Sequence, residues 1–209
     1  MCIRDSKRKH PDAAVVMYVN STAEVKALTD CCCTSANAEA VVASIEPGRP
    51  IIFGPDCHLG RWVAARTGRE MILWDGYCPT HQRFSVERVR ELRRAHPGAR
   101  LLVHPEADDA IVAEADAVLG TGGMIRYAAE SDAGTFVIGT EAGMCYRLET
   151  LFPGKTFIPL SPSALCANMK KITPEKILAS LESLSPRIVV PPAIAAKAER
   201  AIRRMIAIG

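Results

Sequence analysis

The feature that most constrains what this chain can fold into is a repeat. Val16–Asn20 and Leu102–Glu106 each read as a strand closing on a polar triplet, Tyr18-Val19-Asn20 and His104-Pro105-Glu106, 86 residues apart. Thr34-Ser35-Ala36-Asn37 and Thr121-Gly122-Gly123-Met124 are small-residue turns that open helices, at a step of 87. Gly54-Pro55-Asp56 and Gly139-Thr140-Glu141 follow at a step of 85, and Gly76-Tyr77-Cys78 and Ala164-Leu165-Cys166 at 88. One such pair means little, because strand–loop–helix units resemble one another. Four in the same order at nearly one period point to a duplicated unit.

Local patterning says what the unit is. Apolar, β-branched runs suited to buried parallel strands occur at Ala14–Tyr18, Pro50–Phe53, Met71–Trp74, Arg100–Val103, Thr135–Ile138 and Lys155–Pro159. Helical stretches lie between them at Thr22–Thr29, Ala36–Ser44, Ser85–His96, Asp108–Ala115 and Ile125–Glu130. This alternation predicts an α/β fold of repeated three-layer αβα units with parallel sheets. The expected divisions are a non-native leader at 1–6, one unit over 7–96, a second over 97–172 and closing helices over 173–209. The first closing helix is announced by Thr173-Pro174-Glu175, a cap followed by a first-turn proline and acid. The leader Met1-Cys2-Ile3-Arg4-Asp5-Ser6 reads as a translated adapter joined in mid-gene, so Cys2 is left out of the chemistry.

A formal charge of +3 is too small to argue for nucleic acid, and Arg88, Arg90, Arg93 and Arg94 alternate with Glu87 and Glu91 as a solvated helix face would. No apolar run reaches the roughly 18 residues that span a bilayer, and no secretory signal is visible. Eight cysteines in such a chain point instead to metal or redox chemistry in a reducing cytoplasm. Cys31, Cys32, Cys33 and Cys145 read as packing residues, since adjacent cysteines cannot all face one centre.

In parallel α/β units, functional residues gather at the carboxyl ends of strands. Each polar triplet, small-residue turn and terminal cysteine falls at such an end, so facing copies would bring Cys78 and Cys166 towards a shared centre. Two thiolates are too few for a cubane cluster, which leads to the expectation of a third unit upstream.

The motifs YVNSTAEVKA, TSANA, GPDCHLG, WDGYCPTH, VHPE, ADAVLGTGGMIRYA, IGTEAGM and FIPLSPSALCANMKKITPEKIL make the chain similar to the quinolinate synthase family over nearly all of Lys7–Gly209. Cys57 stands where the resemblance leads one to expect a basic residue. The resemblance implies three related α/β units set pseudo-symmetrically around a [4Fe-4S] cluster, one cysteine from each, with two of the three units in this chain. The implied reaction condenses iminoaspartate with dihydroxyacetone phosphate to quinolinate, releasing phosphate and water. L-aspartate oxidase or aspartate dehydrogenase is the implied functional link.

Carried over residue by residue, Cys78 and Cys166 are the implied cluster ligands. With the third unit's cysteine added, one of the four irons would still lack protein sulfur and act as a Lewis acid. Tyr18 and Asn20 match the substrate-contacting triplet, and Ser35 and Thr121 the hydroxyls on the two turns, where a helix N-terminus favours anions. His81, His104 and Glu106 are the acid–base candidates, the last two also touching substrate. Two other readings compete: a diphthamide-type radical iron–sulfur enzyme, and a non-catalytic apo fragment.

Overall fold

The computed structural model describes residues 3–209; Cys2 lies outside them. The first unit runs α1 (Ile3–Lys9), β1 (Ala14–Tyr18), α2 (Ala23–Lys26), β2 (Cys31–Cys33), α3 (Ala38–Ala43), β3 (Ile51–Gly54), α4 (Cys57–Thr67) and β4 (Ile72–Leu73). The second runs α5 (Val86–Ala95), β5 (Arg100–Val103), α6 (Asp109–Val112), β6 (Ala117–Val118), α7 (Thr121–Glu130), β7 (Thr135–Gly139), α8 (Gly143–Leu151) and β8 (Thr156–Pro159). Their strands form two four-stranded sheets, parallel throughout, in the orders β2-β1-β3-β4 and β6-β5-β7-β8. The repeat is therefore eight elements long and reproduces the same crossovers.

The layers repeat as well. Successive residues of β1 point to opposite faces. Val15 and Met17 pack with Ile3, Val25 and Leu28 on the α1–α2 side, while Ala14 and Val16 pack with Val41, Val42, Leu59 and Val63 on the α3–α4 side. In the second sheet, Leu101 and Val103 meet Val89, Leu92 and Ile111 beneath α5 and α6. Leu102, Phe136 and Ile138 meet Met124, Ala128, Cys145 and Leu148 beneath α7 and α8. Helices of equal rank cover equal faces.

Three helices pack where chain order alone does not place them. The expected first unit, 7–96, includes α5, whose Val89 and Leu92 are buried against the second sheet instead. A helix leading into the first strand of a unit covers that unit's own sheet, as α1 does in the first. Of the closing helices, α9 (Pro174–Ser183) buries no residue and leaves Ile177, Leu178 and Leu181 exposed. In contrast, α10 (Pro192–Ile208) returns to the first unit, placing Ala201 and Met205 in its core. Asn37 Nδ2 donates to the Gly209 carbonyl at 2.6 Å, tying this end down.

Besides α1, which falls largely in the expected leader, four elements were hidden from pattern reading. β2 is the run Cys31–Cys33, fully buried, with cysteine behaving as a small hydrophobe. α4 carries Gly60 in its interior, a residue that weakens helices. A Cβ there would sit 2.6 Å from Leu73 Cδ2 and 3.0 Å from Phe53 Cδ1, so the glycine lets the helix lie close on the sheet. The short β6 and the helix α8 were also unmarked, and α7 begins at Thr121 rather than at Ile125. No described helix is long and apolar enough to cross a membrane.

Candidate active site

The ends of β1, β4, β5, β7 and β8 meet around one cavity of about 540 Å³. Tyr18, Asn20, Cys78, His81, His104, Glu106, Thr121 and Cys166 line it, so all but one of the sequence-predicted site residues share it. The exception is Ser35, which is not on the wall. Its hydroxyl lies 3.2 Å from His104 Nε2 and also bonds Tyr18, linking the first unit to the second. This approach is allowed by Gly120, where a Cβ would come within 2.7 Å of Ser35 Oγ. A separate cleft of about 500 Å³ is lined by Ile3, Met17, Val25, Leu28, Pro55 and Trp74 among others, with neither cysteine nor histidine in its wall.

Each terminal cysteine is held by the βα loop that precedes it. Cys57 N–H donates to the Gly76 carbonyl at 2.8 Å, and Ala142 N–H to the Ala164 carbonyl at 2.9 Å. The two carbonyls sit two residues before Cys78 and Cys166. Asp56 then caps α4, accepting from Leu59 N–H at 2.7 Å with one oxygen and from Cys78 N–H at 2.9 Å with the other. Its counterpart Glu141 accepts from Gly143 N–H at 2.8 Å and pairs with Lys170 Nζ at 3.2 Å. Lys170 N–H in turn donates to the Cys166 carbonyl at 3.1 Å.

His81 begins a short 3₁₀ turn, His81–Arg83, directly after Cys78, and its N–H donates to the Cys78 carbonyl at 3.1 Å. The His81 and His104 rings stack with centroids 4.7 Å apart and 18° between planes. His104 Nδ1 accepts from Glu106 N–H at 3.4 Å, which leaves Nε2 to donate to Ser35. Burial, assisted by His81, pushes His104 down to about 4, so it works as a neutral imidazole.

His81 behaves oppositely. Burial alone would push it down, but the neighbouring Cys78 and Glu106 side chains outweigh this and raise it to about 9. Its Nε2 is 3.0 Å from Thr140 Oγ1, and its Nδ1 is 3.1 Å from Glu106 Oε2. Against the opposing pull of burial, His81 also lowers both the Glu106 carboxyl and the Cys78 thiol. Tyr18 is raised by burial and by the Glu106 charge. The pocket thus sets a neutral imidazole, a cationic imidazole and an ionised carboxylate within contact of one another beside a thiol that ionises readily.

Sequence reasoning passed over Thr140, Glu141, Arg147 and Lys170, all on the cavity wall. The step from Gly54-Pro55-Asp56 to Gly139-Thr140-Glu141 marked the strand end but said nothing of the partner of His81. Cys31, Cys32, Cys33 and Cys145 lie in the cores, and burial raises every one of these thiols.

Comparison with known proteins identifies the family of the chain. The family model described as NadA, quinolinate synthetase A protein, matches residues 1–207. A quinolinate synthase of Dehalococcoides mccartyi strain CBDB1 is 48% identical over 204 residues, covering 98% of this chain and 67% of that protein. A quinolinate synthase of Pelobacter propionicus is 48% identical over 207 residues, covering 99% of this chain and 68% of that protein. That of Methanoregula boonei is 47% identical over 206 residues, again covering 99% of this chain and 68% of its own length. The chain therefore spans about two thirds of the length of these relatives. On this evidence the chain belongs to the quinolinate synthetase A family.

Proposed function

We propose that this chain does the work of a quinolinate synthase, condensing iminoaspartate with dihydroxyacetone phosphate to give quinolinate, phosphate and water. The observation that carries this reading is the convergence of Cys78, Cys166, His81, His104 and Glu106, from two separate sheets, on one cavity. Both cysteines are free thiols, half-exposed to the cavity rather than packed away, which fits the soft sulfur ligands of an iron–sulfur cluster. In this reading they hold a [4Fe-4S] cluster together with a thiolate from a further unit. When bound, such a cluster supplies a Lewis-acidic iron with an open position.

The rest is the work of this chain's own side chains. Glu106, kept ionised by His81, accepts protons from substrate carbon or nitrogen, and His81 returns them. His104 stays neutral; the Glu106 N–H and Ser35 hold its ring in one orientation. Tyr18 and Asn20 offer hydrogen bonds to a carboxylate. Thr121, in the first turn of the ten-residue helix α7, suits an anion, and Arg147 and Lys170 add positive charge to the wall. The enzyme would operate in a reducing cytoplasm with small molecules alone, taking iminoaspartate from L-aspartate oxidase or aspartate dehydrogenase. The seven described cysteines, all unpaired, are in keeping with that compartment.

The test is anaerobic turnover of protein made from the complete reading frame, with iminoaspartate generated in place. Glu106→Ala and His104→Ala should each lose at least about a hundredfold in rate while keeping iron and sulfide, the usual scale for removing an acid or base. Glu106→Gln should be nearly as damaging as Glu106→Ala, because the amide keeps the shape but cannot accept a proton. Near-normal turnover in both alanine variants would refute the assignment.

A further inference from the structure

His81 presents its two ring nitrogens to different partners. Nε2 lies 3.0 Å from Thr140 Oγ1. Nδ1 is buried and has no aligned hydrogen bond, although Glu106 Oε2 stands 3.1 Å away. With Nε2–H donating to Thr140, Nδ1 and the carboxylate oxygen face each other across a gap that either a proton or a metal ion can bridge. Cys78 completes the group: its Sγ, a ring nitrogen of His81 and a carboxylate oxygen of Glu106 all lie within 4.8 Å of one another. No other set of three such donors comes together among the described residues.

We propose that Cys78, His81 and Glu106 form a mononuclear site for a thiophilic divalent transition ion, Zn²⁺ or Fe²⁺, filled when no cluster occupies Cys78. The proposal goes beyond the reading above and shares only Cys78 with its cluster.

Three arguments support it. First, sulfur, imidazole and carboxylate form a donor set that suits these ions and not calcium or magnesium. Bonds of about 2.0–2.3 Å in a tetrahedron set donors roughly 3.3–3.8 Å apart, so ring and carboxyl need only small rotations from where they stand. Second, one thiolate and one carboxylate neutralise a divalent ion, so a buried centre carries no net charge. Third, the surroundings of the ring match those of a metal-binding histidine. A ligating imidazole commonly gives its other N–H to a fixed acceptor, and Thr140, 3% exposed, is placed to be one. The stacked His104 keeps the ring plane fixed. The fourth position opens on the cavity. An ion held there takes the sulfur that cluster assembly needs, and zinc binds such donors more tightly than ferrous iron.

The test is titration of the reduced, cluster-free full chain with Co²⁺ alone, followed by optical absorption. One ion per chain is expected, with a thiolate-to-cobalt charge-transfer band in the near ultraviolet and the visible bands of four-coordination, both abolished by Zn²⁺. Cys78→Ser should remove the charge-transfer band. His81→Ala and Glu106→Gln should each weaken binding at least tenfold. Thr140→Val should weaken it about 10–100-fold, with Thr140→Ser restoring it, which separates positioning from folding. Cys166→Ser should leave cobalt binding unchanged, whereas the cluster reading requires that variant to lose its cluster. Absence of stoichiometric binding overturns the site. So does loss of binding in Cys166→Ser, or full affinity in both His81→Ala and Glu106→Gln.

Discussion

The two α/β units share one scaffold and divide the chemistry between them. At the end of β1 stand Tyr18 and Asn20, and at the end of β5 stand His104 and Glu106. The backbone bond from the βα loop to the residue two before each cysteine is also the same, at 2.8 and 2.9 Å. What differs is charge. The first unit offers neutral hydrogen-bonding groups at this position, and Tyr18 is held even further from ionising. The second offers an ionised carboxylate and a neutral imidazole. The repeat thus places equivalent strand ends, and in the proposed reading the different residues at those ends supply the acid–base function.

The largest effect should come from the two cysteines. If the units are equivalent as ligand donors, Cys78→Ser and Cys166→Ser should each strip most of the iron and sulfide from anaerobically purified protein, and to the same extent. Serine cannot replace a thiolate's bonding to iron. Iron analysis that finds one variant loaded and the other empty would break the equivalence.

A second experiment sharpens the contrast in packing, since α10 covers only the first unit. Ala201 is 1% exposed within that core. Ala201→Asp would bury an unpaired carboxyl, at a cost on the order of 3 kcal/mol. Native-state hydrogen exchange should then show β1, β2 and β3 amides losing protection while β5 and β7 retain theirs. Equal loss in both sheets would mean that the units unfold as one.

The smallest difference concerns the loop acids. Asp56 is 5% exposed and satisfies two N–H groups, a buried one at the N-terminus of α4 and a partly buried one at Cys78. Asp56→Ala should cost about 2–3 kcal/mol. Glu141 shares its load with Lys170, whose side chain is 54% exposed, so Glu141→Ala should cost only about 1 kcal/mol. Urea midpoints at unchanged m-value would measure both, and equal shifts would erase the distinction.

The strands β1, β3, β5 and β7 were readable because buried parallel strands are β-branched runs, and the repeat period was readable because turn residues punctuate it. Other features left no local trace. The strand at Cys31–Cys33 has a composition shared with metal sites, and α4 hides behind Gly60, a glycine kept for its fit against Phe53 and Leu73. That α10 packs on the first sheet brings together residues as far apart as Asn37 and Gly209, 172 positions that no window of sequence contains. All the candidate residues but Ser35 line one cavity, because strand ends expose them. Ser35 alone stood elsewhere than expected, behind His104, since the approach of Gly120 is a property of two loops at once.

The loop bonds that hold the cysteines have a mechanical consequence. Each sulfur is riveted to its own sheet, through Gly76 in one case and Ala164 in the other. The molecule is then a pair of calipers whose tips are Cys78 and Cys166, with its jaws joined at Ser35–His104 and His81–Thr140. A single group bound to both sulfurs would be fastened to both sheets at once, and through them to the two histidine rings that stack across the seam.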